Sequence, residues 1–421
     1  MEEPFRHRFY RKGSSKSVNM SKNLLSEKKV IIASYTHIVK GEYTTIGGPA
    51  LAIKDYLKSR VKCLVCVWQP VPISDTLSAI EEVFENGKEI RKRRFYIINW
   101  PFGREKEISF IYVALKLRDI LATFYFALKA NERFDIFIGV ESLNALIGVL
   151  LRRLGVVKTV IYYNLDYGEI RFKNPILNYL FHALDKLAVN HVDYTWNLAE
   201  EMINARKRRG ILKKGTESQL IVPIGIDLSR VKPLNIEQIN RKTIAYLGLL
   251  AEKQGVQLLV EALPEIVKRV EGVHLMFIGS GPLEASLKKA VKEYNLEERV
   301  TFTGLVSDEE VERLLCKCSV GIAPYFPDPN STKKFTDPTK PKMYLACGLP
   351  VIITRVPPMA TEIEKRRAGI AIKYDKNELA EAVSSLLADE KTYLEYRKNA
   401  INFAQQYDWS NILDKAFSYN Y

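Results

Sequence analysis

Short runs of β-branched and aliphatic residues, each followed by an amphipathic stretch, recur in two successive series along this chain. The first series is Val30–Ser34, Lys62–Trp68, Phe134–Val140, Lys158–Tyr163 and Val192–Asn197. A second series restarts at Thr243–Gly248 and continues through Val273–Ile278, Val300–Gly304, Val320–Tyr325 and Val351–Thr354. Near-continuous apolar runs of this length mark strands covered on both faces. Strands alternating with helical patterns build parallel, doubly wound sheets. At 421 residues the chain is also too long for one ordinary core. The expectation is α/β, with two doubly wound domains. A disordered basic tail over 1–29 precedes a first domain over 30–228, a linker over 229–241 and a second domain over 242–407.

Between the runs, Ala50–Ser59, Ile108–Ala130, Leu143–Leu154, Val256–Arg269 and Asp308–Lys317 read as helices, and the acidic Ser78–Glu85 also reads as helical. Glu141-Ser142 reads as the cap of the helix that follows.

Charge is unevenly distributed. Residues 1–228 hold 36 Lys and Arg against 24 Asp and Glu, a balance of +12, and the remaining 27 against 25 give +2. A basic half beside a neutral half suggests an anionic partner on one side. The cluster Lys88, Arg91, Lys92, Arg93 and Arg94, next to Phe95–Trp100, is either solvated surface or a face for lipid headgroups. Arg171–Leu187 is either packed in its domain or in contact with a membrane or lipid-linked acceptor. No nucleic-acid module or aromatic–basic spacing is present, so nucleic acid is not an expected partner. No run approaches the roughly 18 apolar residues of a transmembrane helix, and the first thirty residues lack a signal-peptide core. The five cysteines, 63, 66, 316, 318 and 347, read as buried thiols of a reducing compartment. The cytoplasm is expected, with the inner face of a membrane as a candidate surface.

The most informative stretch is Asp337–Thr354, DPTKPKMYLACGLPVIIT. Asp337 reads as an N-cap with Pro338 at the first helical position. Gly348 suits a left-handed C-terminal residue and Pro350 prevents continuation. A helix N-terminus with Lys340 and Lys342 beside it favours a phosphate. The same stretch is also an ordinary helix–strand unit.

This stretch resembles the nucleotide-sugar signature of retaining glycosyltransferases of the GT-B fold, family four, in its archaeal-like branch. The pattern there runs roughly Tyr-x-Asp-Pro-x-Lys-x-Lys-Glu-Tyr-Leu-Ala-x-Gly-Leu-Pro-Val-Ile. Asp337, Pro338, Lys340, Lys342, Tyr344, Leu345, Ala346, Gly348, Leu349 and Pro350 match, and Met343 stands where the family has a ribose-binding Glu.

The resemblance implies GT-B, two doubly wound Rossmann-like domains facing across a cleft, with the terminal segment 408–421 crossing back onto the first. It implies a nucleotide-diphosphate sugar as donor substrate, no cofactor, no metal, and a glycan, lipid-linked or other acceptor. Lys253 and Lys340 would hold the diphosphate, and Asp337 the sugar hydroxyls. Gly48, Gly225, Gly248, Gly279, Gly281 and Gly304 would border the donor, with Lys342 and Met343 beside it. Asp166 falls near the Asp of the family's His-Asp pair, while Asn164 or Leu165 stands in place of the His. Asn164 can hydrogen-bond a sugar hydroxyl, and with Asp166, Lys253 and Lys340 completes the catalytic candidates. Leu249 occupies the position of a family Arg. Met343, Leu249 and the missing His motivate the alternative, a non-catalytic interaction protein of the same fold.

Overall fold

The computed structural model describes residues 25–39, 42–43, 48–71, 78–95, 110–172, 174–212, 216–328 and 335–420. Most of the expected tail, the turn residues Thr44–Gly47, and Tyr96–Trp100 lie outside the described residues. Two compact units are formed, Met1–Val222 with Ile412–Tyr421, and Pro223–Asn411.

The first unit is built on strands β1 (Lys29–Thr36), β2 (Ile38–Val39), β3 (Glu42–Tyr43), β4 (Cys63–Pro70), β5 (Ala79–Glu85), β6 (Lys88–Phe95), β7 (Phe134–Val140), β8 (Val157–Asn164), β9 (Tyr194–Asn197) and β10 (Gln219–Ile221). β2 and β3 pair as a small hairpin, and the other eight form one sheet in the order β10-β9-β8-β7-β1-β4-β5-β6. Its helices are α1 (Gly48–Leu57), α2 (Phe110–Lys129), α3 (Ser142–Arg153), α4 (Pro175–His191) and α5 (Glu200–Arg208). The apolar stripes of α2, α3 and α4, through Phe126, Ala145, Leu151 and Val189, join Ile31, Val65, Phe137 and Val160 in one cluster. These three helices therefore cover one face of the sheet. The C-terminal helix, Trp409–Asn420, contributes Asp414, which accepts the Tyr56 hydroxyl at 2.5 Å, and Phe417, whose ring lies 5.3 Å from that of Trp196.

The acidic stretch expected to be helical is the strand β5, antiparallel to β4 and β6. Asn86 and Gly87, both at positive φ, turn the chain into β6. Asn-Gly is the strongest short-range hairpin signal. Glu81 and Glu82 are buried, and each pairs with a cation from the neighbouring strand. Arg91 takes Glu81 in a two-pronged bond at 3.0 and 3.1 Å, and Lys92 lies 3.0 Å from Glu82. Charge pairing across the sheet overrides the local helical preference.

The second unit is a wholly parallel sheet of β11 (Thr243–Leu247), β12 (His274–Ile278), β13 (Val300–Phe302), β14 (Val320–Ala323), β15 (Val351–Thr354) and β16 (Gly369–Ile372), in the order β13-β12-β11-β14-β15-β16. It carries α6 (Gln257–Arg269), α7 (Glu284–Glu293), α8 (Asp308–Cys316), α9 (Thr339–Ala346), α10 (Met359–Lys365), α11 (Lys376–Ala388) and α12 (Glu390–Ala404). Two apolar layers sandwich the sheet. Leu345, Ile353 and Phe403 belong to one, and Leu259, Phe277 and Leu379 to the other.

Candidate functional site

Open parallel sheets bind ligands outside the carboxyl ends of their strands, where the winding reverses. In the second unit the chain winds from β11 out to β13, then returns to β14 and winds the other way, so the reversal lies between β11 and β14. Tyr344 pins this point. Its hydroxyl accepts the Leu247 N–H at 2.6 Å and donates to the Ile322 carbonyl at 3.2 Å, joining the two strands.

The loops beyond β11, β12 and β13 interlock. Gly248 and Gly279 adopt φ of 127° and 128°, a region glycine alone enters freely. A Cβ on Gly279 would meet the Gly248 carbonyl oxygen at 2.3 Å. The Gly279 N–H donates to the Gly304 carbonyl at 3.0 Å and the Leu250 N–H to the Ser280 carbonyl at 2.9 Å, and Gly281 packs closely against the Leu250 backbone. Gly248, Gly279, Gly281 and Gly304 are thus brought together.

Lys340, in the first turn of α9, extends over this shelf. Its ammonium lies 3.1 Å from the Gln254 amide oxygen and 5.2 Å from the Tyr246 ring centre, and a Cβ on Gly248 would collide with it. Lys253 precedes Gln254 in the exposed turn Glu252–Gln254. The two lysines therefore share one edge of the sheet.

Asp337 and Lys342 have another geometry. The helix begins at Thr339 with Pro338 at the N-cap position, so Asp337 does not cap it. Its carboxylate instead accepts the Ile224 N–H at 2.7 Å and the Lys342 ammonium, which also donates to the Ile224 carbonyl at 2.5 Å. Lys342 is fully buried, so its charge meets Asp337 rather than solvent. Burial pushes the carboxyl up and the ammonium down, and the attraction between the two opposes both shifts. Met343 is half-buried against the core layer, and Gly225 accommodates the Trp409 ring, which a Cβ would meet at 2.5 Å.

In the first unit the winding reverses between β1 and β7. Gly48 is the first residue of α1. Asn164 ends β8 fully buried, accepting the Asp166 N–H at 3.2 Å and donating at 3.4 Å to Asp185. Asp185 is clasped by buried Arg206 at 2.7 and 2.8 Å and by the Tyr162 hydroxyl at 3.0 Å. The half-exposed Asp166 side chain pairs with Arg171 at 2.5 Å.

Sequence reasoning placed Glu141 only in a helix cap, and the structure keeps it at the N-cap position without a side-chain capping bond. It directly follows β7 at φ 69°, ψ 159°, a strained conformation for a residue with a side chain. The carboxyl accepts the Leu165 N–H at 3.1 Å. Burial, then the neighbouring Asp166, pushes it up to about 8. Lys116 nearby is lowered to about 8, chiefly by burial, with its ammonium 3.2 Å above the Tyr35 ring. The available signal was an acidic residue at the carboxyl end of a buried strand.

Two parallel-sheet Rossmann-like units define the GT-B fold. Solved structures agree. Sucrose-phosphate synthase from Thermosynechococcus elongatus superposes with a TM-score of 0.65 at 18% identity, covering 94% of this chain and 98% of that one. Anabaena HepE in complex with UDP gives 0.61 at 13% identity, covering 92% and 98%. Residues 241–389 match the family model of glycosyl transferases group 1. A GDP-mannose-dependent α-(1-6)-phosphatidylinositol monomannoside mannosyltransferase of Mycobacterium tuberculosis is 32% identical over 99 residues, 21% of this chain and 26% of that protein. The putative colanic acid biosynthesis glycosyltransferase WcaL of Escherichia coli is 22% identical over 266 residues, 61% of this chain and 63% of that protein. The match thus spans about a quarter of the mycobacterial relative and under two thirds of the other.

Proposed function

We propose that this protein is a retaining glycosyltransferase that moves a sugar from a nucleotide-diphosphate donor to a glycan or lipid-linked acceptor. The observation that carries the reading is the seat of Lys340, an ammonium at the winding reversal of a parallel sheet, in the first turn of a helix and beside the Lys253 turn. Cations and helix N–H groups there would stabilise the diphosphate leaving group, the largest change of charge in such a transfer. The same groups would make a metal unnecessary. The nucleotide-sugar donor is supported by the UDP in HepE and by the GDP-mannose dependence named for the mycobacterial relative. Phosphatidylinositol in that relative's name, and in that of a fission-yeast N-acetylglucosaminyltransferase subunit, favours a lipid-linked acceptor.

Asp337 and Lys342 act here as positioning residues for the start of α9, and the glycine shelf as the floor on which the nucleotide lies. Asp166 is assigned to the sugars at the first unit's strand ends, whereas Asn164, expected to meet a sugar hydroxyl, is fully buried and holds the Asp166 backbone instead. No protein nucleophile is assigned.

The test is nucleotide release from a panel of UDP-, GDP- and ADP-sugars in the presence of membrane lipid extract, with EDTA. Release from one donor, retained in EDTA and lost in Lys340→Ala, supports the reading. Release from none favours a non-catalytic protein of this fold. The anomeric configuration of the product, read by NMR, tests retention.

A further inference from the structure

The layer formed by α2, α3 and α4 has its polarity reversed on the outside. A helix packed on a sheet normally turns a polar stripe to solvent. On α4 the outward stripe is Ile176, Tyr179, Leu180 and Leu187, at helical spacing, with Ile176 and Tyr179 exposed to 70% and 73%. Leu150 and Leu154 stand out from α3 and its C-terminus, and Leu121, Tyr125 and Leu128 from α2. Leu146, Val149, Leu150 and Leu187, with Arg153 and His191, line a groove between α3 and α4. Isolated exposed apolar residues need no explanation, whereas a contiguous set across three neighbouring helices does.

The charges on this layer share one sign. Asp119 and Asp185 are the acids within the three helices, and both are buried, against Arg118 and Arg206. Lys129, Arg153 and Lys186 are exposed. At the edge of α2, Arg93, Arg94 and Lys129 surround a shallow hollow with Phe95 and Tyr125. The Lys129 ammonium also lies 4.9 Å from the Tyr125 ring centre, an amphipathic pairing suited to a water–lipid boundary. Apolar residues standing among cations, with no exposed carboxylate on the same helices, complement an anionic, partly apolar surface. They do not complement a polar one.

We infer that the outer face of α2–α3–α4 docks the protein on an anionic phospholipid bilayer. Tyr179, Ile176 and Leu180 enter the headgroup boundary, while Lys129, Arg153 and Lys186 meet lipid phosphates. This surface stands on its own observations and does not require the proposed chemistry. A membrane-seated acceptor would give it a purpose.

The test is flotation of the full chain with vesicles of phosphatidylcholine alone or mixed with phosphatidylglycerol. Two variants accompany it, Ile176→Ser with Tyr179→Ser and Leu180→Ser, and Lys129→Glu with Arg153→Glu and Lys186→Glu. Because every altered side chain is exposed, both variants should melt like the parent. The parent should float with the anionic vesicles only, and less as salt rises. The apolar variant should bind at least about ten-fold more weakly. Each lost cation should weaken binding about five-fold. Nucleotide release in detergent solution should be unchanged in both, which separates this surface from the donor site. The inference is overturned if the parent ignores anionic vesicles, or if both variants float like the parent. It is also overturned if ultracentrifugation shows self-association that the apolar variant abolishes, since a second copy would then cover the face.

Discussion

Asp337 and Lys342 form a buried ion pair that grips both backbone groups of Ile224, the N–H through the carboxylate and the carbonyl through the ammonium. The pair ties the start of the second unit to the first turns of α9, where Lys340 stands. Removing one partner leaves the other charge buried. Lys342→Ala should destabilise the second unit by about 3–5 kcal/mol, whereas Asp337→Leu with Lys342→Met should recover most of the loss. Urea unfolding of the three proteins checks this. A Lys342→Ala protein as stable as the parent would show the ammonium to be solvated.

Tyr344 offers a cleaner perturbation. Tyr344→Phe keeps the ring and removes the hydroxyl that bridges Leu247 and Ile322, leaving the Leu247 N–H without its partner. A loss of about 1–3 kcal/mol is expected. Because the bridge holds the end of β11, nucleotide affinity should fall too. Calorimetric titration with nucleoside diphosphates tests that second effect, which a purely structural hydroxyl would not produce.

The doubly wound architecture was legible because buried parallel strands must be apolar almost throughout, and Val30–Ser34, Phe134–Val140 and Val351–Thr354 all became strands in their expected places. Ser78–Glu85 was misread because its acids satisfy a helical preference until Arg91, diagonally across, and Lys92, directly opposite, pair with them, and the Asn86-Gly87 turn was the overlooked clue. The Asp337 misreading has a similar cause. Local spacing offered a cap, and a non-local partner, Ile224, took the carboxylate. The glycines were visible as glycines, but their mutual packing was not, since Gly248 and Gly279 meet only once the crossover through α6 sets β12 beside β11. Glu141 was hidden by its ordinary neighbours and becomes conspicuous only through its backbone angles and burial.

Glu141 gives a dependence on pH. Its carboxyl titrates at about 8 folded, against an ordinary value of 4.5 unfolded. The folded state therefore binds an extra proton between these values. The favourable contribution is complete below pH 4.5 and is lost as pH rises to about 8. Glu141→Gln removes the titration while keeping the shape. The variant should gain on the parent by about 1.4 kcal/mol per pH unit across that window, then level off. Equal pH profiles for the two proteins would mean that the carboxyl is solvated and normal.

The central claim is that Lys340 stands where a donor diphosphate binds. Titration calorimetry of UDP, GDP and ADP into the parent and Lys340→Ala, with melting curves alongside, tests it most directly. One nucleotide should bind the parent and bind the variant at least about ten-fold more weakly, a difference of about 1.4 kcal/mol, with the melting temperature of the free proteins unchanged. Equal affinity in both proteins, for whichever nucleotide binds, would contradict the account.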